Sequence, residues 1–220
     1  MTEAPEAAFS AVLRQASATD HAEAESAGYM SDLMSGKLPL AAFAALTARL
    51  HPVYAALEEA AEAMREHPVA GRFVHDELTR TPSLEADLAF LRGADWAEQA
   101  ENSPAADAYA ARIREVAFTS PEGFVAHHYT RYLGDLSGGL IIGRTIERLY
   151  DLSDGRGVSF YRFGEIPKPK NFKDAYRTLI DEAPFDPDGR ALVVAEVREA
   201  YRLNSALFAE LGAIRWNEAA

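Results

Sequence analysis

Asp135 stands between Gly134 and the pair Gly138-Gly139 in a run that otherwise reads as helix, from His127 through Arg144. Each interior glycine costs about 0.5–1 kcal/mol relative to alanine, so a run of them needs an offsetting gain. Gly134 and Gly138 are one helical turn apart on the same face, which leaves bare backbone where a flat ligand can lie. Asp135 is rotated about 100° from that face, too far to ligate a metal above it but suited to hold a water there. Arg131 is one turn earlier and pairs with Asp135 in the simplest reading. The plain alternative is a helix salt bridge worth about 0.2–0.5 kcal/mol, which would need no glycines beside it.

His21 is the candidate metal ligand, through a neutral imidazole nitrogen. Its helical neighbours Ser17, Ala18, Ala24 and Gly28 are small and leave room beside the ring. A lone helical histidine is more often a surface residue, and the residues alone leave that open. Glu25, one turn on, is placed to accept from the other ring nitrogen. His51 and His67 precede prolines, and His75, His127 and His128 read as helix-surface residues, with His128 the second candidate because it shares the glycine-rich run. Lys173 and Arg177 lie one turn apart and, with Arg14, Lys168 and Lys170, offer cations to an anionic group; a solvated helix face is the alternative.

A chain of 220 residues suits one domain, expected over 1–220 with a helical core at about 6–213. The net charge of −12 argues against nucleic acid, whose binding needs clustered Lys and Arg. With no cysteine, thiolate ligation, iron–sulfur clusters and cysteine nucleophiles are excluded. No run of eighteen apolar residues occurs and the start lacks the pattern of a signal peptide, so a cytoplasmic monomer without membrane anchor is expected.

Apolar residues at helical spacing dominate and strand alternation is nearly absent, which predicts an all-α fold. Phe9, Val12, Leu13 and Ala16 make a first stripe, on a helix expected to run through His21 to Gly28. Pro39 opens the next helix, which Pro52 should kink. Pro82, Ser103-Pro104 and Ser120-Pro121 mark later starts, and the glycine-rich element should bend near Gly138-Gly139 before continuing to Leu149. Asp154 to Gly157 reads as a turn, Ser159 to Lys170 as irregular, Asn171 as a cap, and Pro187 to Leu211 as the last helix.

Tyr132-Leu133-Gly134-Asp135-Leu136-Ser137-Gly138-Gly139 resembles the distal-helix signature of the heme oxygenase family, and Ala18 to Glu25 followed by Met30 resembles its proximal-histidine segment. Phe172 to Arg177 and Leu203-Asn204 through Phe208 extend the resemblance over nearly the whole chain. It implies a single all-α domain that clamps heme b between a proximal helix and a bent distal helix. The implied reaction opens heme with O2 to biliverdin, of the alpha isomer, with carbon monoxide and ferrous iron, using electrons from a separate reductase or ferredoxin. By resemblance His21 is the axial ligand, and Asp135, with Arg131, Tyr54, Gly134 and Gly138, forms the catalytic side. Lys173, Arg177, Arg14 and Tyr129 hold the propionates, while Glu25, Met30, Gly139, Tyr201, Asn204 and Phe208 line the pocket. Ala18 and Leu140 depart from the family pattern, where a lysine and a glutamine are common. Three rival readings stand beside it: a heme-binding or storage protein without turnover, opposed by Asp135 and Arg131; a thiaminase-type enzyme, which needs a cysteine; and a di-iron bundle, whose Glu-x-x-His pattern is missing.

Overall fold

A computed structural model describes residues 7–25, 28–99, 101–152 and 154–216, the side chains of 23–25 excepted. Among the described residues there are ten α-helices and no strand: α1 (Phe9–Ala16), α2 (Ala18–Glu25), α3 (Gly28–Met34), α4 (Leu40–Met64), α5 (Thr81–Arg92), α6 (Pro104–Val116), α7 (Pro121–Gly134), α8 (Leu140–Leu149), α9 (Pro169–Glu182) and α10 (Pro187–Gly212). The all-α expectation holds.

Local chemistry sets the helix starts. Ser103, Ser120 and Asp186 accept from the backbone N–H of Ala106, Gly123 and Gly189 at 3.2, 3.0 and 2.7 Å, and a proline follows each cap. The cap satisfies an orphan donor where proline has none to offer. Gly155 and Gly157 adopt φ of +76° and +85° in the expected turn, a region open to glycine without strain.

The first helix does not run through to Gly28. It stops at Ser17, whose hydroxyl donates to the Leu13 carbonyl at 2.9 Å, and α2 restarts at Ala18; Gly28 opens α3 instead of ending a helix. A serine that bonds back to its own helix competes with continuation. Val12, placed on the buried stripe by spacing, is exposed. Pro52 does not end α4, which is fixed on either side of it by buried Leu50, Val53, Tyr54 and Leu57. Asn171 is not a cap, because Pro169 takes the first-turn position and Lys168 the cap.

The core is one cluster running from Phe9 to Leu211, with α4 at its centre against α5, α6 and α7. By length and hydropathy α4 is the one described helix able to cross a membrane, and 67% of that stretch is buried inside the protein. The longest helix, α10, packs along α7 and also along α2, while α9 touches both α1 and the segment after α7. These four contacts frame the site.

Candidate functional site

The glycine-rich run is where the helix changes pitch. Asp135–Gly139 forms a π-helical turn joining α7 to α8, near the bend expected at Gly138-Gly139. A π turn widens the helix by one residue and is common where function needs it. The four glycines divide into two pairs. A Cβ added at Gly134 or Gly138 would meet nothing within 4 Å, so that face is open. A Cβ at Gly139 would lie 3.3 Å from the Tyr161 ring and 3.4 Å from Asp135 Cβ, and one at Gly143 only 2.6 Å from Tyr161 Cβ. The Cβ direction of Gly139 therefore faces protein, unlike those of Gly134 and Gly138.

Asp135 is 5% exposed and held from α4 by Tyr54, whose hydroxyl donates to its carboxylate. Burial pushes the Asp135 carboxyl up from its ordinary range, while Arg131, the Tyr54 hydrogen bond and Arg80 pull it back. The expected Arg131–Asp135 pair is wide, at 3.7 Å. Arg131 spends its better hydrogen bonds elsewhere: Nε donates to the Tyr54 hydroxyl at 3.0 Å and a terminal nitrogen to Asn204 Oδ1 at 2.7 Å. Its guanidinium also lies 5.1 Å from the Tyr54 ring centre. Tyr54 is thus the hinge of the network, and Asn204 joins it from α10. Sequence reasoning missed Tyr109, Tyr132 and Tyr161, all buried around this acid. Burial pushes the Tyr109 hydroxyl up to about 12 against the pull of Arg131. Nothing in their spacing separates these tyrosines from ordinary core aromatics.

On α9, Lys173 Nζ donates to Ser137 Oγ of the π turn at 2.7 Å, and Arg177 bonds Asp174 at 2.9 Å. Burial and then the charge of Arg177 hold the Lys173 ammonium below its usual range, with Asp174 opposing. Tyr129 is buried on α7; burial raises its hydroxyl while Arg177 and Arg14 both lower it, so cations from α9 and α1 converge on one α7 tyrosine. Such a cluster favours an anion beside it. Lys170 shares Asp174 with Arg177, at 2.8 Å, and Lys168 is the cap of α9.

His21 is exposed on α2, its ring edge-on to Tyr201 of α10 at 5.6 Å. Among the described residues no three His, Asp or Glu side chains gather to hold a bare metal ion. Met30 is buried on α3. Phe208 stacks on Tyr29 at 6.4 Å and lines a groove of about 780 Å³ with Gly28, Leu38 and Trp216. The Glu25 side chain lies outside the described residues.

His127 and His128, expected on the surface, are both buried, one against Glu196 of α10 and the other against Tyr176 of α9. His127 lies 3.4 Å from the Glu196 carboxylate. His128 bonds Tyr176 at 2.7 Å, which removes it as a rival ligand.

The Heme oxygenase family model matches residues 7–210. Heme oxygenase 1 of Nostoc sp. is 39% identical over 199 residues, covering 90% of this chain and 84% of that protein. Human heme oxygenase 1 is 39% identical over 205 residues, covering 92% and 71%. Among solved structures, heme oxygenase-1 of the cyanobacterium Synechocystis in complex with heme superposes with a TM-score of 0.88 at 36% identity, covering 93% of this chain and 92% of that one. With the family model spanning the open glycine face, the buried acid and the converging cations, this chain belongs to the heme oxygenase family.

Proposed function

We propose that heme lies on the open face of Gly134 and Gly138 and is opened oxidatively there to biliverdin, carbon monoxide and ferrous iron. One observation carries this reading: the backbone at Gly134 and Gly138 faces empty space while the acid between them is buried and held. The heme complex of the Synechocystis relative supports the same ligand. Bound heme supplies both the oxygen-activating iron and the macrocycle that is cut.

The chain's own residues divide the work. His21 binds the iron through one imidazole nitrogen, and Glu25 orients the ring. Lys173, Arg177, Arg14 and Tyr129 hold the two propionates by charge-assisted hydrogen bonds. Met30, Tyr201 and Phe208 pack against the macrocycle. Asp135 orients a water beside the open face, and Tyr54, Arg131 and Asn204 keep its carboxylate from turning away. The bare backbone at Gly134 and Gly138 blocks some porphyrin edges by its closeness and leaves one exposed, giving the alpha isomer. We infer a single domain, active as a cytoplasmic monomer, that takes electrons from a separate reductase or ferredoxin.

The test is to add hemin to the purified chain, then ascorbate or a reductase system in air. A Soret band should form on binding and decay as a bilin appears. A stable Soret band through many equivalents of reductant would leave a heme-binding protein without turnover.

A further inference from the structure

His128 and Tyr176 are buried, at 2% and 1% exposure, yet each immediately precedes a residue assigned above to the propionates: Tyr129 on α7 and Arg177 on α9. Their rings stack at 5.7 Å with an angle of 6°, and a 2.7 Å hydrogen bond joins His128 Nδ1 to the Tyr176 hydroxyl. We propose that this pair is a strut that fixes α9 against α7, and so sets where the propionate contacts lie and which porphyrin edge is opened.

The strut rests on the reading that heme occupies the site, and three features support it. Successive helical residues are rotated about 100°, so a side chain locked on the protein side fixes the direction of its neighbour on the slot side. A second polar link between α9 and the distal element, Lys173 to Ser137, is exposed and is released when Lys173 turns to a carboxylate. The buried strut keeps its geometry when the ligand arrives. Finally, the His128 ring lies 4.4 Å from Tyr132, whose ring lies 5.7 Å from Tyr54, the residue that holds Asp135. One ring therefore touches the packing behind both the propionate end and the acid.

Burial holds the His128 imidazole down at about 3, so the ring is neutral through the working pH range and the strut carries no charge to switch. His128 and Tyr176 are thus positioning residues. Their removal should show in product identity more than in heme capture, because a misplacement of about 1 Å far from the chemistry can change a rate by roughly 10²-fold.

The experiment compares Tyr176→Phe, which keeps the ring and loses the hydroxyl, with His128→Phe, which keeps a ring and loses the nitrogen. Each is titrated with hemin, melted to check folding, and carried through one turnover with separation of the bilin isomers. The expected result is hemin affinity within a fewfold of the parent and a bilin mixture with a second isomer at about a tenth or more of product. A parental isomer pattern from a folded Tyr176→Phe protein overturns the strut. The double variant Lys173→Ala, Arg177→Ala separates this failure from that of the underlying reading. If it changes seating while Tyr176→Phe does not, the strut alone is wrong; if neither hemin affinity nor isomer responds to the double variant, the propionate assignment falls and the strut with it.

Discussion

The two faces of the proposed site are built in opposite ways. Ten of the fourteen residues of α7 are buried, and the acid that follows it is held by α4 through Tyr54, with Arg131 tying Tyr54 to α10. The α2 helix has eight residues, no described residue of it is buried, and its histidine is exposed. The distal side is organised before any ligand arrives, whereas the proposed proximal ligand stands exposed on a short helix. This division has a physical logic. A group that orients water gains from being fixed in advance, since reorganising it during reaction costs rate. A group that binds iron gains its order from the bond it forms, and local stability there can be low. Breaking each side should therefore fail differently.

The largest effect is expected from His21→Ala, which should abolish the axial nitrogen bond and most heme degradation. Added imidazole should restore part of both, and an unchanged heme spectrum with full turnover would place the ligand elsewhere. The fold should be nearly untouched, because the side chain is exposed.

Asp135→Ala should do the reverse. Hemin affinity stays close to the parent value while biliverdin yield falls by about 10²–10³-fold, the scale for loss of one preorganised polar group. Peroxide-driven oxidation of a phenol should rise in its place. Asp135→Asn should retain part of the bilin yield. Normal biliverdin from the alanine variant would remove this acid from the mechanism.

Gly138→Ala sharpens the contrast, since its effects on folding and binding should have opposite signs. With nothing within 4 Å of the new Cβ, the ligand-free protein should gain about 0.5–1 kcal/mol from helix propensity, unless the π turn offsets it. Hemin affinity should drop, because the methyl stands on the face where the macrocycle lies. Denaturant melts and hemin titration of the same sample decide; equal hemin affinity would mean that the open face is not the binding face. Lys173→Ala with Arg177→Ala should come next in size, weakening hemin binding or altering the bilin isomer.

The last effect concerns pH and is read on stability alone. The His128 pKa falls from 6.5 unfolded to about 3 folded, so between those values the unfolded chain binds more protons. Stability from this group is then complete above pH 6.5 and is lost as pH falls toward 3, reaching about 2 kcal/mol at pH 5. His128→Phe should flatten the stability profile of the ligand-free protein over that window. An equally steep profile in the variant would assign the acid sensitivity to other groups.

The sequence by itself determined the all-α class, most helix starts and the chemistry on offer. Ser103-Pro104, Ser120-Pro121 and Asp186-Pro187 announce helix starts because capping and the missing proline N–H act within a few residues. The Gly-Asp-Leu-Ser-Gly-Gly run announced the distal element for the same reason, since glycines inside a helix are a local anomaly. What tertiary structure decided is which groups meet. The first helix ends at Ser17, where propensity foresees no break, and Tyr54 came between Arg131 and Asp135 because α4 packs on α7 there. Gly134 and Gly138 face space while Gly139 and Gly143 face Tyr161, a distinction fixed by a residue about twenty positions away in sequence. His127 and His128 carry the same letter as a surface histidine, and partners brought from other helices, Tyr109 and Glu196 for one and Tyr176 for the other, bury them. Periodicity records the preference of a residue for one side of its own helix; burial depends on what packs against that side, which is a long-range property of the chain.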